Sequence, residues 1–120
     1  MTKTHKDLDV WQAAVVVAER TYRLTRTFPR AEVFGLTAQM RRSSVSIASN
    51  IAEGAARRGA KQFAQFLHVA AGSASELDTQ LEIARRIGLG EPDEVERAQA
   101  EVGRVAMMLQ GLIRSLGRSA

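Results

Sequence analysis

The segment Gln39–Gly54, QMRRSSVSIASNIAEG, constrains this chain more than any other. It reads as one helix, yet Ser, Ala and Gly dominate it, and it carries Arg41, Arg42, Asn50 and Glu53. A surface helix shows one polar face, and an ordinary core helix shows Leu and Ile on its inner side. Here small residues run nearly all the way round, so neighbouring backbones can approach on more than one side. Polar groups enclosed there must find partners, because a buried amide or carboxylate left alone is strongly destabilising. Such a helix belongs at the centre of a bundle or at a subunit interface.

Start and stop signals divide the rest of the chain. Asp9 is a candidate cap for a first helix, with Gln12 in the capping-box position, and Pro29 stops that helix after about Thr27. The loop FPRAEVFG leads to a second helix over about 36–57, broken by Gly59. A third spans about 60–87, with Gly88 and Gly90 as left-handed terminators. Pro92 and Asp93, with Glu96 at N3, open a fourth that continues to about Leu116. We expect one domain over residues 1–120.

Apolar periodicity supports the same division. Phe63, Leu67, Ala70, Ala74, Leu77, Leu81 and Ala84 alternate four and three apart, as do Val95, Ala98, Val102, Val105, Leu109, Leu112 and Leu116. Val10, Ala14, Val17, Thr21, Leu24 and Phe28 do so in the first helix. This is the spacing of near-parallel helix packing. Short connections imply antiparallel neighbours, so the expected fold is all-α, an up-down-up-down four-helix bundle. Second apolar seams accompany the main ones: Trp11, Val15, Ala18 and Tyr22 on helix 1, and Val45, Ala48 and Ala52 on helix 2. In a lone bundle they would face water, so they point to a homo-oligomer.

Bulk features remove whole classes of function. There is no cysteine, which excludes disulfides and thiolate chemistry. The longest uncharged stretch, Ser43–Ala52, is too short and too rich in Ser to span a bilayer, so no membrane association is expected. MTKTHKDLDVWQ bears charges where a signal peptide needs an apolar run, so a soluble cytoplasmic protein is the expectation. His5 and His68 are the only histidines, and neither follows a Glu at the Glu-x-x-His spacing of bundle di-metal sites. Neither a phosphate-binding glycine loop nor a nucleophile elbow is present. No enzyme, cofactor or metal is expected. A paired-carboxylate acid–base site would require Glu53 and Glu76 to converge.

Two sets of residues remain. Asn50, Glu53, Ser73 and Glu76, with Arg41 or Arg42, form a candidate inter-helix polar network that fixes register. The net charge of +4 is uneven: residues 1–62 carry +6 and residues 63–120 carry −2. Arg57, Arg58 and Lys61 cluster at the turn between helices 2 and 3, and Arg20, Arg23, Arg26 and Arg30 recur along helix 1 into its loop. These are candidate phosphate contacts, although a solvated charged face explains them equally well. With six aromatics in the chain, most at core spacing, binding to RNA or DNA should read backbone and shape.

DVWQ (9–12), FPRAEVFGL (28–36), QMRR (39–42), SNIAEG (49–54) and FLHVAAGSASELDTQLEIARRIG (66–88) resemble the four-helix-bundle proteins named after 23S rRNA intervening sequences. Helix 4 matches them in pattern only. The resemblance implies an up-down bundle that assembles as a homopentameric ring, and it transfers no catalytic residues. The fold it implies is also similar to the accessory variability determinant of diversity-generating retroelements, a basic pentamer that binds nucleic acid and a reverse transcriptase. Ala48 stands where the family often has Pro, so any kink in helix 2 should be weaker. Gly59 and Gln62 replace its Ser-x-x-Glu box, a loss of about 0.5–1 kcal/mol. The expected function is an oligomeric bundle that binds structured nucleic acid through a basic surface. The alternative is a scaffold that recruits another protein and has no nucleic-acid affinity.

Overall fold

A computed structural model describes residues 4–119 of the chain; Met1–Lys3 and Ala120 lie outside it. Its four long helices are α1 (Asp9–Thr25), α2 (Leu36–Ala55), α3 (Ala60–Ile87) and α4 (Pro92–Ser119), and no strand occurs among the described residues. Single 3₁₀ turns at His5–Asp7 and Arg30–Glu32 complete the path. Each helix packs on the next, and α4 closes against α1. Side-chain contacts give the directions. Ser46 of α2 meets Ser73 of α3, Glu82 of α3 meets Gln99 of α4, and Arg20 of α1 meets Glu94 and Glu101 of α4. The result is an antiparallel bundle 46 Å long and about 22 Å across. None of its helices is long and apolar enough to cross a membrane.

The core is the set of seams that the periodicity marks. Val10, Ala14, Val17 and Leu24 of α1 and Leu67, Ala70, Ala74, Leu77, Leu81 and Ala84 of α3 turn their apolar side chains inward. Val95, Ala98, Val102, Val105 and Leu109 do so from α4, while Leu112 and Leu116 are only half-buried. Met40, Ile47 and Ile51 of α2 are fully enclosed. Thr21 and Thr25, buried in α1, satisfy their hydroxyls by donating to the carbonyls of Val17 at 2.8 Å and Thr21 at 2.7 Å.

Small residues set the closest approach. A Cβ on Gly54 would lie 2.7 Å from Phe66 Cβ and 3.1 Å from the Phe63 carbonyl oxygen, so the end of α2 touches α3 where only hydrogen fits. At the opposite end Gly90 has φ 78° and packs directly beneath Leu24 and Phe28, sealing the core between α1 and α4.

Helix ends differ from expectation in instructive ways. Asp9 is the first helical residue and not a cap, because the position before it is Leu8, which offers no side-chain acceptor. The capping box belongs to the preceding 3₁₀ turn His5–Asp7: Thr4 N–H donates to Asp7 Oδ2 at 2.9 Å, and Thr4 Oγ1 accepts from the Lys6 N–H at 3.2 Å. Gln12 reaches back to the Lys6 carbonyl instead. Asp93 is likewise inside its helix. Pro92 takes the first helical position, so Glu91 becomes the cap and accepts from the Asp93 and Glu94 N–H groups at 3.2 and 3.0 Å. α1 stops at Thr25, where i→i−3 bonds from Thr27 and Phe28 tighten the chain ahead of Pro29.

Two expectations follow. Gly54→Ala should lower stability by about 1–3 kcal/mol in urea unfolding, because the added methyl pushes α2 and α3 apart. The second concerns Glu82, which Arg85 bonds at 2.6 Å and Arg86 at 2.8 Å, with Gln99 of α4 at 3.2 Å. These partners, Arg85 foremost, hold its carboxyl far below the usual range. A depressed native pKa gives stability that is complete above the unfolded value of about 4.3 and is lost as pH falls toward the native value. The stability gap between the wild type and Glu82→Gln should be constant above about pH 6 and shrink below about pH 4 in urea melts.

Candidate functional site

The polar residues of α2 are shared out by the helical rotation between successive positions. Arg41 turns toward α1: its Nε donates to Thr25 Oγ1 at 2.9 Å, and its guanidinium stands 4.6 Å from the Tyr22 ring centroid. Ser46 turns toward α3, where its Oγ lies 2.8 Å from Ser73 Oγ. Asn50 Nδ2 donates to the Ser46 carbonyl at 2.8 Å and to Ser46 Oγ at 3.0 Å. Glu53 is exposed and pairs with Arg57 at 2.5 Å. The single network expected from Arg41, Arg42, Asn50, Glu53, Ser73 and Glu76 is therefore three separate arrangements. Only Asn50 and Ser73, joined through Ser46, connect α2 to α3.

Glu53 and Glu76 do not converge. The Ser46–Ser73 pairing places Glu76 beside position 43 of α2, ten residues from Glu53, or about 15 Å along the axis. Arg42 and Glu76 instead line one groove between α2 and α3, with Gln39, Ser43, Ser46, Ser73 and Gln80. His68 is exposed on α3. No group of three or more His, Asp or Glu placed to hold a metal occurs among the described residues.

The basic residues separate as well. Arg20 is half-buried at the α1–α4 contact, hydrogen-bonded to Glu101 and 3.4 Å from Glu94. The Glu101 carboxylate raises its pKa above the ordinary guanidinium value. Arg23 pairs with Glu19, and Arg57 lies over the Phe66 ring as well as on Glu53. Arg26, Arg30, Arg58 and Lys61 are exposed without an ion pair among the described residues. They stand at opposite ends of the molecule. Arg26 and Arg30 lie where α1 turns into α2, whereas Arg58 and Lys61 lie where α2 turns into α3, about 30 Å away along α2.

The end that holds Arg58 and Lys61 is also where α4 finishes and α1 begins. Topology therefore adds Arg114, Arg118 and Lys6, each exposed and without an ion pair among the described residues. Linear proximity missed these three, since more than fifty residues separate Arg114 from Lys61. The 3.5-residue register of α4 on α3 was the signal that could have found the two arginines.

The fold and these sites define a four-helix, all-α protein with a basic end and a polar inter-helix groove. The model of the 23S rRNA-intervening sequence protein family matches residues 6–111, and the chain belongs to that family. The match extends into α4, beyond the motifs that carry the resemblance in sequence. Among solved structures, a protein of unknown function from the S23 ribosomal protein family of Bacteroides thetaiotaomicron superposes with a TM-score of 0.78 at 22% identity. The superposition covers 87% of this chain and 97% of the other, and it shows a shared fold. A search of curated proteins found no match.

The geometry separates structural from free cations. Arg20→Ala should lower unfolding stability by about 1–2 kcal/mol, since it leaves two half-buried carboxylates without their partner. Arg23→Ala, at an exposed pair, should stay within about 0.5 kcal/mol in the same denaturation measurement.

Proposed function

We propose that this protein is a non-enzymatic, cytoplasmic bundle that assembles as a homopentameric ring and binds structured RNA, or another nucleic acid, through phosphate contacts. The basic end carries the reading. Lys6, Arg58, Lys61, Arg114 and Arg118 gather where α2 meets α3 and α4 finishes, none of them neutralised by a carboxylate among the described residues. Free, solvated cations concentrated on one surface suit a backbone of regularly spaced phosphates, and the planar guanidinium fork adds bidentate contacts. Arg20, Arg23 and Arg57, each already held by a carboxylate, drop out of the binding set. The unpaired Arg26 and Arg30 lie at the far end and reach a ligand bound here only if it spans the bundle.

Half-exposed seams support the ring. Tyr22 is 39% and Val45 43% exposed, and Val15, Ala18 and Ala52 are half-buried, whereas Trp11 and Ala48 of the same seams pack against the core. A neighbouring copy laid on these seams would remove that apolar area from water. Rings of copies would also repeat the basic end around an axis, so that one nucleic acid meets several sets of cations.

One observation favours a second reading, in which the ring recruits a protein. Phe34 is 95% exposed in the α1–α2 loop, beside the half-exposed Val33 and far from the basic end. Exposed aromatics of this kind anchor protein contacts. Affinity capture from lysate with and without nuclease separates the readings, since a protein partner survives digestion.

Filter binding of a structured RNA across a salt series tests the leading reading. Affinity should fall as salt rises. The double substitution Arg58→Ala and Lys61→Ala should flatten the log–log slope by about 0.7–0.9 for each phosphate contact removed. No retention at low salt, or an unaltered slope in the double variant, would refute it.

A further inference from the structure

The groove between α2 and α3 has a volume of about 250 Å³ and gathers the groups in this region that lack partners. Gln80 is only 8% exposed, and its buried Oε1 accepts no hydrogen bond. A buried acceptor without a donor is rare in folded proteins and asks for a partner that the chain does not supply. Arg42 and Glu76 line the same groove yet form no ion pair with each other or with any other described residue. Ser43 is buried as a residue, but its hydroxyl stays accessible and is also without a hydrogen bond from the chain.

These groups are ordered along the groove. The Ser46–Ser73 contact marks one end. Because the helices run antiparallel, Arg42 and Glu76 both sit about one turn further along, on opposite walls, and Gln80 follows a turn later. Within the Ser46–Ser73 pair, Ser46 Oγ also accepts from Asn50, so one hydroxyl proton remains for an outside acceptor.

We propose that this groove binds a small zwitterion of α-amino-acid size, with its carboxylate on Arg42 and the serine hydroxyls and its ammonium on Glu76 and the Gln80 amide. The charge pattern selects this class. A simple anion or a nucleic-acid phosphate would meet Glu76, and a metal ion would meet Arg42 with a single carboxylate to hold it. A molecule carrying both signs satisfies both walls at once, through the charge-assisted bonds that are strongest in a partly enclosed site. The binding goes beyond the nucleic-acid reading and uses none of its cations.

The test titrates the full chain, isotope-labelled, with glycine, glutamate and lysine, and with acetate and methylammonium as controls of single charge. Amide resonances of Ser43, Ser73 and Glu76 are followed by two-dimensional NMR. The proposal expects saturable shifts at these amides with at least one amino acid and none with either control. Arg42→Gln and Glu76→Gln, both at exposed positions, should each weaken that binding at least tenfold while leaving the unfolding midpoint unchanged. The proposal is overturned if no amino acid shifts these amides, if acetate or methylammonium shifts them equally, or if both variants bind as the wild type does. A fall in assembly mass on either substitution would equally overturn it, because a second copy would then be filling the groove.

Discussion

The contact of α2 with α3 is the constraint on which the other features rest. Gly54 brings the α2 backbone against Phe63 and Phe66, and eight residues earlier Ser46 and Ser73 meet through their hydroxyls. Two helices held this closely over two turns have little freedom to slide or rotate. Met40, Ile47 and Ile51 are thereby committed to the centre, and Arg41 is committed to α1. The polar groups that α2 carries inward are tolerated because most are satisfied locally. Ser44 donates to the Arg41 carbonyl at 2.9 Å and Asn50 to the Ser46 carbonyl, so enclosure leaves few of them without partners.

Charge is then divided between holding the bundle and meeting something outside it. Arg20 ties α1 to α4 through Glu94 and Glu101, and Glu82 ties α3 to α4 through Gln99 while gathering Arg85 and Arg86. Glu82, Glu94 and Glu101 of the acidic second half are engaged in these contacts. Five cations without an ion pair among the described residues, Lys6, Arg58, Lys61, Arg114 and Arg118, stand at the end opposite the exposed Phe34, while Arg26 and Arg30 share its end. The molecule thus presents its larger set of free cations at one pole and the exposed Phe34 at the other, with partly exposed flanks of α1 and α2 between them.

Much of this was legible in the sequence because helix packing follows a local period. Leu67–Ala84 and Val95–Leu109 reach the core at the positions their four-three spacing marks, with no tertiary knowledge required. Capping was misread for a related reason. Asp9 and Asp93 are good acceptors, but α1 begins at Asp9 itself with no side-chain cap, and α4 begins at Pro92, so its cap moves to Glu91. The proposed polar network failed at the next level. Arg41 and Arg42 are adjacent in sequence yet about 100° apart around α2, so they serve different neighbours. The basic residues show the same limit. Arg30 and Arg58 carry equal charge in the same half of the chain, but folding sends them to opposite ends and brings Arg114 and Arg118 to Arg58. Which charges share a surface depends on the antiparallel register, and no run of residues displays it.

The small-residue character of α2 has a final consequence. α3 covers one side of it and α1 another, while Val45, Ala48 and Ala52 remain partly open. If sibling chains complete that enclosure, mass in solution must show it. Multi-angle light scattering on the purified protein, with absorbance followed at both the nucleic-acid and the protein band, is the most direct measurement. The account predicts a single species of five 13.1 kDa chains that holds its mass on dilution. A well-folded particle of one chain's mass at high concentration would contradict it.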